Sequence, residues 1–184
     1  LSAYFFIHFY FLCNYYMKKA VSIGINYYRS PQNTLNGCID DCINMKNILI
    51  DAYGYTNDDI VVLRDDVQGN ANLLPTKNNI LNCLKTLILN SNNCEEICFF
   101  YSGHGSLINK NKGNVISSTN IIVPVDYSTA GMITEDELYS IIIGAKCKFL
   151  LFFDCCHSGT ICDLPFSFEY KTPTYYLIKI GRAH

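Results

Sequence analysis

Two short stretches hold the side chains that could do covalent chemistry. Asp154-Cys155-Cys156-His157-Ser158-Gly159 sets a carboxylate, two thiols, an imidazole and a hydroxyl in a row. Tyr101-Ser102-Gly103-His104-Gly105 sets an imidazole between glycines. A thiol and an imidazole suffice for nucleophilic attack on a carbonyl: the ring stabilises the thiolate and later protonates a leaving amine. Each stretch alone has an ordinary explanation. Cysteine is among the most buried residue types, and a histidine flanked by glycines can fill a turn. Together they point to chemistry, because each ends an apolar run in polar residues that a core would not choose. The glycines let backbone approach closely. Cys156 is then the candidate nucleophile and His104 the candidate base. His157 is a weaker rival, since adjacency in sequence does not aim its ring at the thiol.

Those pairs need elements to position them. Residues 97–101 (Ile-Cys-Phe-Phe-Tyr) and 149–153 (Phe-Leu-Leu-Phe-Phe) have the length and character of strands buried on both faces. In open α/β sheets, chemistry sits just past the carboxyl ends of parallel strands. Earlier in the chain, 20–25 alternates as a first strand and 60–63 forms a short second one. A helix starts near Cys38, with Cys42, Met45, Leu49 and Ala52 at helical spacing and Gly54 as its stop. Pro75-Thr76 opens another, with Ile80, Leu84, Leu87 and Ile88 inward. Residues 106–120 are mostly polar and read as an exposed loop. Thr134 and Glu137 have capping-box spacing ahead of Leu138, Ile141 and Ile142, and 146–153 is the fourth strand. Strand–helix alternation of this kind demands a parallel sheet covered by helices.

Several further stretches accompany the two motifs: Ile23-Gly24-Ile25-Asn26-Tyr27-Tyr28, Leu35-Asn36-Gly37-Cys38-Ile39-Asp40-Asp41, Ile60-Val61-Val62-Leu63, Pro75-Thr76, Ile122-Val123-Pro124-Val125-Asp126 and Asp163-Leu164-Pro165. Spanning about residues 18–172, the set resembles the large catalytic part of metacaspases, of type I, within the caspase-like cysteine peptidases. The family's usual cysteine motif is Asp-Ser-Cys-His-Ser-Gly, so Cys156 aligns with the nucleophile and Cys155 replaces a serine. The resemblance implies a caspase-like (caspase-hemoglobinase) α/β fold, a mostly parallel sheet flanked by helices in three α/β/α layers. It places the third and fourth strands side by side. It implies an oxyanion held by the backbone N–H groups of Cys156 and Gly105. Asp41 and Asp154, with Cys38 and Ser102, would line the pocket for the residue before the cleaved bond. An acidic pocket selects Arg or Lys, and Arg the better, because its fork can engage paired carboxylates. Many members are activated by calcium. Asp163, Glu135 and Asp136 align near that region, yet 106–120 lacks the usual acids and carries Lys110 and Lys112 instead. Calcium dependence is therefore expected to be weaker than in the family, and helix-start charge explains Glu135 and Asp136 equally well.

The expected function is hydrolysis of protein or peptide substrates after Arg or Lys through a Cys–His dyad and an acyl-enzyme. A non-catalytic or regulatory caspase-like module is the alternative. A small-molecule binder on a flavodoxin-like sheet is disfavoured, because no glycine-rich phosphate loop follows the first strand. The chain has 184 residues, 49% hydrophobic and 16% charged, enough for one well-filled domain. A net charge of −2 without a basic cluster speaks against a nucleic-acid partner. Ten cysteines, many within apolar runs and without C-x-x-C spacing, fit a reducing cytoplasm rather than disulfides or zinc. Residues 1–16 are hydrophobic but are interrupted by His8 and fall short of the ~20 residues of a membrane span. They read as upstream-translated sequence, a signal anchor being the alternative, with Met17 as the start. Residues 179–184 can be encoded by a stretch containing the start of a common sequencing adapter, and read as a read-through tail. The peptidase domain is then 17–178, and the family's C-terminal small subunit region is expected to be missing.

Overall fold

A computed structural model describes residues 17–112, 115–155, 166–172 and 175–180. Four parallel strands form the central sheet: β1 (Met17–Gly24), β2 (Ile60–Arg64), β3 (Cys94–Ser102) and β7 (Lys148–Asp154), in spatial order β2-β1-β3-β7. Every pair in this sheet is parallel. Helices α1 (Cys38–Tyr53), α2 (Lys77–Leu89) and α4 (Glu135–Ile142) lie between its strands in the chain, as parallel pairing requires. A single short turn, α3 (Tyr127–Ala130), precedes β6 (Ile133–Thr134).

Side-chain alternation along each strand divides the core in two. Ala20 and Cys98, with Leu150 beside them, face α1 and pack with Leu49, Tyr55 and Ile60. Val21, Ile23, Leu63, Phe99 and Tyr101 face the other way, onto Ile80 and Leu84 of α2 and Leu138 and Ile142 of α4. The three layers expected from the sequence are present. So are the helix ends: Gly54 stops α1 in the left-handed conformation (φ 75°), where glycine alone avoids a Cβ penalty. Thr134 and Glu137 form the expected reciprocal capping box.

Two expectations need correction. Residues 106–120 are not a loop. They lie almost wholly within an antiparallel ribbon of β4 (Gly105–Lys112) and β5 (Val115–Ile122), whose register runs from Gly105 opposite Ile122 to Lys112 opposite Val115. Strand β6 adds to β5. Leu107 and Ile108 are both exposed while Thr119 and Asn120 are buried, so the ribbon lacks the apolar alternation by which strands are recognised. Second, β7 is not buried on both faces. Among the described residues it is an edge of the central sheet, α1 packs on β1, β2 and β3, and Phe152 is 42% exposed.

Strands β8 (Phe166–Thr172) and β9 (Tyr175–Ile180) form a separate antiparallel pair. Lys179 and Ile180, which the sequence reading sets outside the domain, pair there with Ser167 and Phe166. Residues 1–16 lie outside the described residues. Among the described residues no helix is long and apolar enough to cross a membrane.

Candidate active site

The site is built at the carboxyl ends of β3 and β7. Ser102 stands opposite Asp154 in the parallel register, and the Gly103 N–H donates to the Asp154 carbonyl at 3.3 Å. The histidine loop and the cysteine stretch therefore leave the sheet from adjacent positions. Cys155 follows Asp154 and packs, half-buried, against the core on the face away from α1. Cys156, His157 and Asp163 lie outside the described residues.

His104 is held by four neighbours. Its Nε2 lies 2.7 Å from the Asn33 carbonyl oxygen. A carbonyl can only accept, so Nε2 carries the hydrogen, and in the neutral ring Nδ1 is left as the base. The ring rests against Tyr27, with centroids 4.7 Å apart. The backbone N–H donates to the Tyr27 hydroxyl at 2.9 Å, and the carbonyl accepts from the Tyr101 hydroxyl at 2.8 Å. The Val123 N–H also reaches that carbonyl. Directly opposed residues in an antiparallel ladder alternate between bonded and non-bonded pairs. Bonding at His104 and Val123 makes Gly105 and Ile122 a non-bonded pair, so the Gly105 N–H turns away from β5. That is the orientation an oxyanion donor needs. A groove of about 310 Å³ opens here, lined among others by His104, Gly105, Tyr127 and Met132.

The predicted pocket residues form a second cluster, on the α1 side of the same sheet edge. The Ser102 hydroxyl donates to Asp41 Oδ2 at 3.2 Å. Cys38 is 7% exposed. Burial pushes its thiol up, and the Asp41 and Asp154 carboxylates push the same way against a hydrogen bond from Ser102. This thiol therefore stays protonated at neutral pH. Gly24 makes the cluster possible, since a methyl group there would run into the Cys38 carbonyl and meet Cys42 Sγ at 2.8 Å. The start of α1 is fixed by Asn26, whose Oδ1 accepts from the Cys38 N–H at 3.1 Å. Asn26 is in turn held through its own N–H by Asp65, at 2.9 Å.

Of the acids aligned with the calcium region, Glu135 is engaged within the protein. Glu135 Oε1 accepts from Thr119 at 3.3 Å, and Oε2 from Asn120 at 2.7 Å. Both its oxygens are thus engaged within the protein. Among the described residues no three His, Cys, Asp or Glu side chains are grouped to hold a metal ion.

Sequence reasoning missed four contributors here: the Asn33 carbonyl, Asn26, and the hydroxyls of Tyr27 and Tyr101. Three of these residues lie inside the motifs quoted for the family resemblance. A backbone carbonyl, however, has no side-chain signature at all.

A parallel sheet ending in a histidine loop beside a cysteine stretch, with an acidic cluster one helix away, defines a caspase-like domain. The family comparisons place it more narrowly. Residues 18–165 match the family described as metacaspase, peptidase C14 domain, and the chain belongs to that family. It is 39% identical over 158 residues to Metacaspase-1 of Scheffersomyces stipitis, covering 84% of this chain and 39% of that protein. It is 40% identical to Metacaspase-1 of Meyerozyma guilliermondii, covering 84% and 38%, and 38% identical to that of Saccharomyces cerevisiae, covering 84% and 36%. The chain thus spans under two fifths of the length of these three relatives. A Geobacter sulfurreducens protein of known crystal structure shares the fold, with TM-score 0.58 and 21% identity, over 80% of this chain and 53% of that one.

Proposed function

We propose that this chain is the catalytic part of a cysteine endopeptidase that cleaves peptide bonds after Arg or Lys. The observation that carries the reading is the pairing of β3 with β7, Ser102 opposite Asp154. It supports the reading because the His104 loop starts beside Asp154, two residues before Cys156 in the sequence. The Cys156 thiolate attacks the substrate carbonyl, forming the S–C bond while the carbonyl oxygen becomes an oxyanion. The N–H groups of Gly105 and Cys156 hold that oxyanion, and removing one such donor typically costs ~3 kcal/mol of barrier. Collapse breaks the C–N bond, and the His104 imidazolium protonates the leaving amine. Water, deprotonated by His104, then cleaves the thioester and restores the thiol. Asp41 and Asp154 receive the guanidinium of the residue before the cut, with Ser102 and Cys38 lining the same pocket.

The acidic cluster makes the reading testable. The full-length protein should hydrolyse peptides with Arg before the cut, Lys less well, and Asp negligibly, because an aspartate would meet like charge in a partly dry pocket. Cys156→Ala should abolish turnover, while Cys155→Ser should retain most of it. Robust cleavage after Asp, or full activity in Cys156→Ala, would overturn the assignment.

Calcium dependence, on this reading, is weaker than the family resemblance implies, because Glu135 already spends both oxygens on Thr119 and Asn120. Calorimetric titration of the full-length protein should show no micromolar calcium site. A micromolar site lost in Asp163→Ala would prove the opposite. The exposed edge of β7 supports a further proposal, that the strands of a C-terminal small part complete the sheet there. Cys38, Cys42, Cys83, Cys94, Cys98 and Cys147 are free thiols, which supports placement in a reducing compartment such as the cytoplasm.

A further inference from the structure

Beneath the histidine loop lie two tyrosine hydroxyls to which the dyad and the pocket assign no part. Tyr27 enters from the end of β1 and Tyr101 from β3, and their oxygens sit 3.2 Å apart in the core. Tyr101 is fully buried and Tyr27 is 2% exposed. Beyond that contact with each other, their bonds go to backbone. Tyr27 accepts from the His104 N–H at 2.9 Å and donates to the Val123 carbonyl at 2.7 Å. Tyr101 donates to the His104 carbonyl at 2.8 Å and accepts from the Val123 N–H at 3.2 Å. Both polar backbone groups of His104, and both of the residue facing it across the ribbon, are therefore tied to this pair.

Two features show that the arrangement is built. Tyr27 is the only non-glycine residue among those described with a left-handed backbone, φ 58°, a conformation that a bulky side chain adopts only under constraint. That turn brings its ring against the His104 imidazole. Gly103, next to the histidine, has no room for a side chain: a Cβ there would lie 2.7 Å from the Tyr101 hydroxyl and 3.1 Å from that of Tyr27. The glycine before the histidine is thus required by the hydroxyls below it, while the one after it carries the N–H proposed above to hold the oxyanion.

Resting on the dyad assignment above, we propose that Tyr27 and Tyr101 are positioning residues. Their hydroxyls fix the backbone of His104, and through it both the aim of the imidazole and the placement of the Gly105 N–H. Neither is a proton carrier. Burial holds both phenols far above their ordinary range, so they remain hydrogen-bond donors at every pH at which the thiol reacts. The pair acts on two catalytic groups together, because the tethered peptide unit lies between the histidine ring and the Gly105 N–H.

The test is the pH dependence of Cys156 alkylation by iodoacetamide in the full-length protein, read together with kcat and KM on an Arg substrate. Five proteins are compared: wild type, Tyr27→Phe, Tyr101→Phe, His104→Ala and Tyr55→Phe. Tyr55 is a buried tyrosine that donates to Glu96 at 2.9 Å, on the other side of the sheet and near its opposite end. It controls for loss of a buried hydroxyl as such. In wild type the imidazole stabilises the thiolate. Losing its aim should move the alkylation profile towards that of a free thiol, near pH ~8.5. Tyr27→Phe and Tyr101→Phe should shift the profile towards that of His104→Ala and lower kcat about tenfold or more with little change in KM. Tyr55→Phe should lower Tm and leave the profile where it was. If His104→Ala does not move the profile, the dyad itself is wrong. If His104→Ala moves it and the two tyrosine variants track Tyr55→Phe, the dyad stands and the positioning role falls. Should either tyrosine variant fold poorly, Gly103→Ala decides: it keeps both hydroxyls but forces them from their places, and a wild-type profile there would refute the proposal.

Discussion

Asp41 allows charge and geometry to be separated by one substitution. Its Oδ2 accepts from the Ser102 hydroxyl, and Asn at this position keeps an oxygen that can do the same. Asp41→Asn should therefore leave Tm close to wild type while removing one of two charges from the pocket. A hydrogen bond to a charged group is worth about 1.5–3 kcal/mol. The kcat/KM for Arg substrates should accordingly fall roughly ten- to a hundredfold, with cleavage of a neutral-residue substrate unchanged. Equal losses on both substrates would mean that Asp41 supports the chain rather than the specificity. That much could be argued from residue types in advance, since acids near a strand end and a helix start are visible in the sequence. The hydrogen on Nε2 of His104 could not. It follows from the Asn33 carbonyl, which any residue at position 33 would supply, so no side-chain pattern records it.

Among the elements, the sequence was legible wherever burial imposed a period. Helices α1 and α2 each bury one apolar stripe, and strands β1 and β3 are buried on both faces over most of their length. The ribbon of β4 and β5 escaped because its pairing is carried by backbone bonds, which every residue type can make. Leu107 and Ile108, adjacent and both exposed, carry no period of 2. The one available signal was Gly113-Asn114, which separates the two runs by two residues, the spacing of a tight hairpin. Strand β7 was legible as a strand and not as an edge: its five apolar residues look the same whether or not another element covers Phe152. The ribbon matters to the site because it fixes the Val123 backbone, and through that the His104 carbonyl.

Across the described residues, the proposed site and a buried ion pair sit at opposite ends of one sheet. The carboxyl end holds His104, Asp41 and Asp154. At the amino end Glu96 stands in register between Lys18 on β1 and Lys148 on β7. Its carboxylate is buried, accepting from the Tyr55 hydroxyl at 2.9 Å and from Lys148 Nζ at 2.6 Å. Burial alone would push this carboxyl up, but the Lys148 ammonium and the Tyr55 hydrogen bond together outweigh it and hold Glu96 below its ordinary range. A carboxyl depressed in the folded state contributes stability that is present above its unfolded value, about 4.3, and is lost as pH falls through the folded value. Lys148 is shifted the other way, upward by Glu96. Its share is present below the ordinary lysine value and is lost only as pH rises through the raised one. The pair should therefore hold a plateau through neutrality with a steep acid limb. Glu96→Gln should lower Tm at pH 7 by roughly 3 °C, as about 1 kcal/mol would in a chain of this size. Its Tm should also fall less steeply than wild type between pH 5 and pH 3. The limb should flatten without disappearing, because Asp59 and Glu137 are likewise held low, in ion pairs with Lys19 and Lys77. Thermal scans of both proteins across that range decide the matter, and parallel curves would show that Glu96 does not govern the acid limb. Because this pair lies at the amino end of the sheet, away from the dyad, the variant should keep the wild-type profile of Cys156 alkylation.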